Sequence, residues 1–557
     1  MKSSKPRGIF STFVYILEEI THADVKDGHK QTAVVPLGLT GVMDILGNAR
    51  SSSPSLMKGF PLELSTYTMR HGLAWTPRLP ALELKTLASP LENIPLEVIA
   101  QFFIAFLDTL TFGNVRNGIR SLCLTCKEWR DLVYVTPDLW TVLDFHVQPD
   151  SSEYILLAVE SWLRRSRQLP LKIKLTVIGS GPLVESGNIR LANKILQVLF
   201  DEVHRWSSIS ISISCDEFTA FPTFNRTTKA SILGVVEVAI PFTEQAPEIQ
   251  WIILLIQHSP RLHTFIGNGP RMTLPLARLP LAQLSIFKLS SPISSPHALE
   301  IVGQMPVLSI CHLVLNYPAY SDDPTPRQIV CTACELRITV RADISQFFTP
   351  LLVPNLDTFE LHLASNPRNT ALRQNLLQFL RKTEGRLTSF SIRNLFIKDV
   401  DLLDCLNIVS PHLKQLHILV DRLTSSEFND VENFTGCVIE ALTHGEDIPG
   451  RKILCPRLEN LTLERCIGAE DGQLSRMIAS RRKHHNGQHQ YQIGDATSKH
   501  VVDGLPTSES GIDPFSNLIS CNVVFRYHSH PDDQERLNRL RLGGLNGRTE
   551  FGYPRRT

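Results

Sequence analysis

From residue 206 onward the apolar positions recur in one short pattern. It is an apolar residue, two of any kind, an apolar residue, one of any kind, and a third apolar residue. The units read Trp206, Ile209, Ile211; Leu233, Val236, Val238; Leu262, Phe265; Leu281, Leu284, Ile286; and Leu308, Cys311, Leu313. They continue Cys331, Cys334, Leu336; Leu356, Phe359, Leu361; Leu387, Phe390, Ile392; Leu413, Leu416, Ile418; and Leu458, Leu461, Leu463. Alternation over so few residues predicts a short strand with one buried face. A proline stands two residues before the first apolar position at Pro260, Pro306, Pro354, Pro411 and Pro456. Between the strands, spacing predicts helices near Ala298 to Met305, Leu372 to Lys382, Val400 to Val409 and Asn433 to Thr443.

The step between units averages about 28 residues, a period that with this pattern is the leucine-rich-repeat signature. Each unit supplies one strand whose alternate side chains enter a shared core, while a helix or loop covers the outer side. The steps are uneven, so the array is expected to be irregular. Upstream, the pattern predicts a helix over Ser151 to Ser166, a strand over Leu171 to Val177 and a helix over Leu191 to His204. Downstream, it predicts a helix over Glu470 to Ser480, a strand over Ile519 to Phe525 and a helix over Pro531 to Leu542, whose Leu537, Leu540 and Leu542 are available to cap the array.

A different pattern occupies Leu91 to Phe145. Pro95 marks a helix start, because a missing N–H costs nothing in the first turn. Ile94, Val98 and Phe102 recur every four residues with Ile99, Phe103 and Phe106 alongside, giving one broad apolar face. A second helix is predicted with Leu122, Cys126, Trp129 and Leu132 on one stripe; Pro137 stops it and Leu139 and Trp140 fold back as anchors. The residues Ile94-Pro95-x-Glu97 with Phe102, Leu124-x-Cys126-Lys127-x-Trp129-Arg130, and Leu139-Trp140 resemble the F-box, the adaptor-binding module of cullin–RING ubiquitin ligases. The segment between the helices, Asp108 to Gly118, reads as longer than in a minimal F-box. The order of F-box stretch, Trp-Leu-Arg-Arg-Ser, Pro-Leu-x-Ile-x-Leu and repeating units over about residues 91 to 545 is similar to the F-box/leucine-rich-repeat proteins abundant in mushroom-forming fungi.

Composition narrows the remaining choices. At 557 residues the chain is too long for one compact core. A formal charge of +1 offers no bulk attraction for nucleic acid or an anionic membrane. No apolar run reaches the ~20 residues that span a bilayer. The eleven cysteines form no regular framework, which fits a reducing compartment, so a cytoplasmic or nuclear location is expected. Lys2, Lys5 and Arg7 precede an apolar stretch, but Glu18 and Glu19 follow it without a small-x-small site, so an amphipathic helix or disordered lead is expected.

Two Cys-x-x-Cys pairs, Cys123/Cys126 and Cys331/Cys334, would have to combine to supply a tetrahedral zinc, yet they lie about two hundred residues apart. Cys331 and Cys334 read instead as small core residues of their repeat. The histidines His484, His485 and His489 fall in a polar stretch without rigid geometry, and Arg481 to Lys483 read as a solvated helix end. Gly179-Ser180-Gly181 lacks the lysine of a phosphate loop, and the sequons at Asn225 and Asn460 carry no meaning in a reducing compartment. No metal, cofactor or catalytic constellation is expected.

The expected fold is therefore α/β: a small helical F-box hairpin followed by an irregular leucine-rich-repeat solenoid, with parallel strands inside and helices outside. The expected divisions are a poorly ordered extension (1–88), the F-box-like module (89–147), connecting helices and a first strand (148–205), the solenoid (206–480), a disordered loop (481–514) and a closing strand, helix and tail (515–557). The resemblance implies a target-recognition subunit, not an enzyme, that binds a Skp-type adaptor and through it a cullin. A repeat scaffold without ligase recruitment is the alternative, supported by the long segment at Asp108 to Gly118.

By the same resemblance Ile94, Pro95, Glu97, Val98, Phe102 and Leu124 belong to the adaptor face or its support. Trp129 packs between the helices, and Leu139 and Trp140 lock the hairpin to the adaptor or the next helix. Target contacts are expected on the residues between the apolar strand positions: Glu360, His362, Gln415, His417, Thr462 and Glu464. Their chemistry is mixed, without a dominant sign, which disfavours a phosphate-reading pocket. The target protein is unnamed by the sequence, and neither nucleic acid nor membrane is expected as a partner.

Overall fold

The computed structural model describes residues 94–148, 151–178, 187–213, 230–239, 250–269, 278–316, 328–341, 347–363, 370–383, 386–394, 398–420, 435–444, 453–464, 466–482, 518–525, 531–542, 545–547 and 549–551. The expected N-terminal extension, the glycine turn at 179–181, the sequon at Asn225 and the histidine-rich stretch after Arg482 lie outside the described residues. The chain divides into two compact units, Met1–Trp140 and Thr141–Thr557.

In the first unit Pro95 is the N-cap of α1 (Leu96–Thr109), and its carbonyl accepts from the N–H groups of Val98 and Ile99. The helix buries Ile99, Ala100, Phe103 and Leu107. A 3-10 turn, Phe112–Asn114, leads into α2 (Val115–Thr125). The segment expected to be a long connection is thus the end of one helix, one tight turn and the start of the next. Gly118 permits this closeness, since a Cβ there would stand 2.5 Å from Leu110 Cδ1 and 2.7 Å from Leu107 Cδ2.

The second predicted helix is two helices. Cys126 takes an extended conformation, φ −154° and ψ 173°, and caps α3 (Lys127–Val135) by accepting the Trp129 N–H at its Sγ, 3.4 Å away. A single stripe through Leu122, Cys126, Trp129 and Leu132 therefore does not form. The 3-10 turn Pro137–Trp140 closes the unit, burying Leu139 and Trp140.

The second unit is mixed α/β and built on a large parallel sheet. Its strands are β1 (Val142–Val147), β2 (Leu171–Val177), β3 (Trp206–Ile213), β4 (Val235–Ala239), β5 (Thr264–Gly267), β6 (Ile286–Ser294), β7 (Ile310–Asn316), β8 (Ile329–Val330), β9 (Glu335–Val340), β10 (Leu351–Leu352), β11 (Thr358–Leu363), β12 (Ser389–Arg393), β13 (Gln415–Leu419), β14 (Asn460–Glu464), β15 (Ser520–Phe525) and β16 (Thr549–Phe551). Fourteen described strands lie side by side in chain order, and β8 pairs with β10 apart from them. The sheet begins within the range expected for the helical module and runs through 148–205 without a break, because β1, β2 and β3 pair in parallel.

The connecting helices are α4 (Tyr154–Arg165), α5 (Gly187–Asp201), α6 (Gln250–Gln257), α7 (Ser295–Gly303), α8 (Thr370–Lys382), α9 (Asp399–Val409), α10 (Gly436–Leu442), α11 (Gln473–Arg482) and α12 (Pro531–Leu542). They cover one face of the sheet: Phe145 of β1 meets Trp162 of α4 edge-on at 6.0 Å, and Phe359 of β11 meets Phe379 of α8 at 5.3 Å. Parallel sheets buried on both faces read as continuous apolar runs. Here burial alternates along β2, β3 and β11, because only the helix side is covered. The other face carries the polar residues. Of the proposed capping leucines, Leu537 is buried and Leu542 is exposed.

The prolines between helix and strand have a turn geometry. Leu262 N–H bonds Ser259 O, Leu308 bonds Met305 O, Leu356 bonds Val353 O and Leu458 bonds Cys455 O. Each is an i to i+3 turn with proline at i+1, where its fixed φ is already correct.

Two units are registered differently from the sequence pattern. Phe287 pairs with Phe265 and Cys311, so Leu284, Phe287 and Leu289 are the inward positions, three residues later than expected. Leu336 pairs with Cys311 and Ile338 with Leu313, which sets the unit as Ala333, Leu336 and Ile338. Cys334 is consequently exposed instead of in the core, with its Sγ 3.2 Å from Ser309 O. In both units a nearby apolar residue, Leu281 or Cys331, is buried in the connecting segment and mimics the first strand position.

Candidate functional site

The first unit has an exposed apolar surface. On α1 Leu96 is 57% exposed and Val98 42%, and on α2 Leu124 is 67% exposed. Phe102 is half-buried, and Pro95 and Glu97 are exposed, while Ile94 is half-buried. The broad apolar face read from the sequence thus splits in two. Ile99, Phe103 and Leu107 form the unit's interior, and the offset stripe through Val98 and Phe102 faces outward. Glu97 sits in the first turn, where a carboxylate complements the positive end of the helix.

Of the three aromatic and leucine anchors, Leu139 and Trp140 are buried and Trp129 is half-buried. Trp129 packs against Phe103 of α1 with ring centroids 4.8 Å apart and the ring planes tilted by 60°. Trp140 donates its indole N–H to Val133 O at 2.8 Å and lies 6.1 Å from the Tyr134 ring. Leu139 and Trp140 are 2% and 3% exposed, so neither presents a surface to an adaptor.

In the second unit a polar cleft of about 510 Å³ opens on the uncovered sheet face. Its charged and imidazole groups are Lys288 on β6, His312 on β7, Arg337 on β9, Glu360 and His362 on β11, and Arg393 on β12. The parallel register puts Lys288, His312, Arg337 and Glu360 in one row across four strands. His362 and Arg393 stand in the next row.

Arg337 is held between two carboxylates, with Nε 2.7 Å from Glu335 Oε1 and a terminal nitrogen 3.3 Å from Glu360 Oε2. His312 donates from Nε2 to Glu335 at 2.8 Å, since a carboxylate can only accept. Burial holds the His312 imidazole below its ordinary range, and Lys288 and Arg337 push it the same way; the Glu335 bond opposes them without prevailing. Burial by itself would raise Glu335, but His312 and Arg337 outweigh it and keep the carboxyl below its usual range. Farther along the same face, burial lowers His417 against the pull of Glu360.

At the other margin Asn268 donates to Glu237 at 2.8 Å, and Ser210 donates to the same carboxylate at 3.0 Å. Lys288 makes no ion pair among the described residues. Among the described residues the permanent cations of this cluster are Lys288, Arg337 and Arg393, and its carboxylates are Glu335, Glu360 and, at the margin, Glu237.

Glu360 and His362 are the only sequence-expected target residues that line the cleft. Gln415, His417, Thr462 and Glu464 stand on the same polar face on β13 and β14, outside it. Sequence reasoning missed Lys288, Arg337 and Arg393. Lys288 and Arg337 occupy the position between two inward residues, the signal used for the other candidates. The register slips at Leu281 and Cys331 put Ser285 and Glu335 there instead.

The chain matches no protein-family model and no curated protein.

Proposed function

We propose that this chain is the target-recognition subunit of a Skp–cullin–F-box type ubiquitin ligase. The observation that carries the reading is that Leu96, Val98 and Leu124 are exposed on a small helical unit that buries Phe103, Leu139 and Trp140. In this reading the exposed apolar side chains form a docking surface. They lie within the residues that resemble the F-box. In this reading a Skp-type adaptor covers them and brings a cullin, and the second unit acts as a leucine-rich-repeat array whose uncovered sheet face holds a target protein. The chain positions the target and leaves ubiquitin transfer to other subunits, a contribution through effective concentration.

A scaffold without ligase recruitment drew its support from an insertion at Asp108 to Gly118. That segment is two helix ends joined through a 3-10 turn. The test is direct binding of the purified full chain to a purified Skp-type adaptor by calorimetry. A stoichiometric complex is expected; a folded chain that leaves the adaptor unbound refutes the reading.

A further inference from the structure

We infer that the open face of β4 to β7 docks an amphipathic helix of a protein partner, with an acidic side chain over Lys288, a basic one over Glu237 and apolar ones between them. This rests on the open sheet face being the target surface. The first support is an apolar stretch on that face. Val235, Ile266, Ile286 and Ile310 all point to the open side and are half-buried. From β9 to β14 the outward positions of the same sheet are polar except for Leu419. The apolar side chains are thus gathered on neighbouring strands, where one partner can cover them together.

The second support is charge complementarity. The parallel register lines up Glu237, Ile266 and Lys288 on β4, β5 and β6. Glu237 accepts from Ser210 and Asn268, which are both neutral. Neither Glu237 nor Lys288 makes an ion pair among the described residues. Farther along the row Arg337 pairs with Glu360 on one side, and on the other Lys174 stands beside Asp144 of the next strand. The stretch from β4 to β6 therefore offers one charge of each sign with an apolar residue between them. Its complement carries the same three kinds of side chain with the charges exchanged.

The third support is spacing. Glu237 and Lys288 are two strand steps apart, about 10 Å. On a helix, side chains seven positions apart on one face advance about 10.5 Å, and those three or four positions along reach the middle. An extended segment returns to one face about every 6.7 Å, which falls out of step with strands about 4.8 Å apart. Val235, Ile286 and Ile310 share the adjacent row, about 6.6 Å away along the strands. A helix about 10 Å across, laid along the rows, touches both.

The experiment titrates the full chain into fluorescein-labelled, alanine-rich helical peptides of about eighteen residues, read by anisotropy. The first carries glutamate and lysine seven positions apart, with leucines three and four positions after the glutamate. A second has glutamines for the leucines. Two more carry glutamate at both charged positions or lysine at both, and a fifth has the first peptide's side chains with prolines between them. The first peptide is expected to bind at least tenfold tighter than the glutamine and proline peptides, and severalfold tighter than either like-charged one. Glu237→Lys should move the preference to the two-glutamate peptide and Lys288→Glu to the two-lysine peptide, both with an unchanged melting temperature. If a reversal melts lower, Glu237→Gln or Lys288→Gln replaces it and should erase the charge preference at its own end. Equal binding of the leucine and glutamine peptides overturns the inference. So does a proline peptide that binds as tightly as the first, or an order of charge preference that is the same in the folded variants as in the parent. Adaptor binding by the same preparations separates the two claims: a chain that binds adaptor but shows none of these preferences removes the helix-docking assignment alone, and the converse removes the ligase reading alone.

Discussion

Truncating Leu96, Val98 and Leu124 together to alanine should remove adaptor binding while leaving the helical unit folded. Fully burying a side chain of this size is worth about 1.5–3 kcal/mol. Only the fraction now in water can be gained on docking. Scaled by their exposed fractions, Leu96 and Leu124 each contribute about 1–2 kcal/mol and Val98 about 1 kcal/mol. The retained alanine methyls lower the combined loss to about 3 kcal/mol, or on the order of a hundredfold in Kd. The same exposure limits the effect on folding, since surface substitutions usually stay within about 0.5 kcal/mol each. Calorimetry with a Skp-type adaptor and a thermal melt of each protein measure the two quantities. An unchanged Kd in a folded triple variant would falsify the assignment of these three side chains. Trp140→Ala is the contrasting case: it opens a buried site and removes an indole hydrogen bond, so it should disrupt the unit itself.

Two further outcomes test how the second unit is held and how it responds to acid. Arg481 is buried in α11 and donates to Leu442 O, Cys455 O and Leu454 O at 2.8, 2.8 and 2.6 Å; burial lowers its guanidinium to about 10, so it stays charged at neutral pH. Arg481→Met leaves three carbonyls without that donor and should cost about 3 kcal/mol or more, seen as a lower melting temperature with faster hydrogen exchange in α10 and β14; exchange like that of the parent would show the clamp to be idle. Burial lowers both His312 and His417, so the unfolded chain takes up their protons first as pH falls. Stability should therefore drop as pH descends through the ordinary imidazole range, near about 6.5, and level off below the folded values. Urea unfolding of a His312→Gln/His417→Gln variant at pH 7.5 and 5.5 should show a smaller drop than the parent, and an equal drop would contradict the assignment.

Much of the architecture was readable because its causes are local. Strands such as Leu171–Val177 and helices such as Pro531–Leu542 match their expected bounds, since alternation, helical spacing and turn-forming proline act within a few residues. Where reading failed, two local solutions were equally good. Leu281 and Leu284 both suit the first strand position, and so do Cys331 and Ala333; only the hydrogen-bonded neighbours on each side choose between them. Cys126 shows the same limit at a helix break. Its side chain can continue an apolar stripe or cap a new helix, and the chain uses it as a cap.

By itself, then, the sequence determined the repeating strands, the turn chemistry that joins them and the helical character of the stretch after Pro95. Tertiary structure decided which apolar residues of α1 are interior and which remain in water, because that depends on how α2 and α3 close against it. It also decided that the sheet starts at Val142 and that Lys288, Arg337 and Arg393 share a cleft with Glu360 and His362. These residues lie on four strands, and a one-residue change in register turns a side chain to the other face of a strand. The periodicity could name the faces, but only the paired neighbours could fix which charges meet.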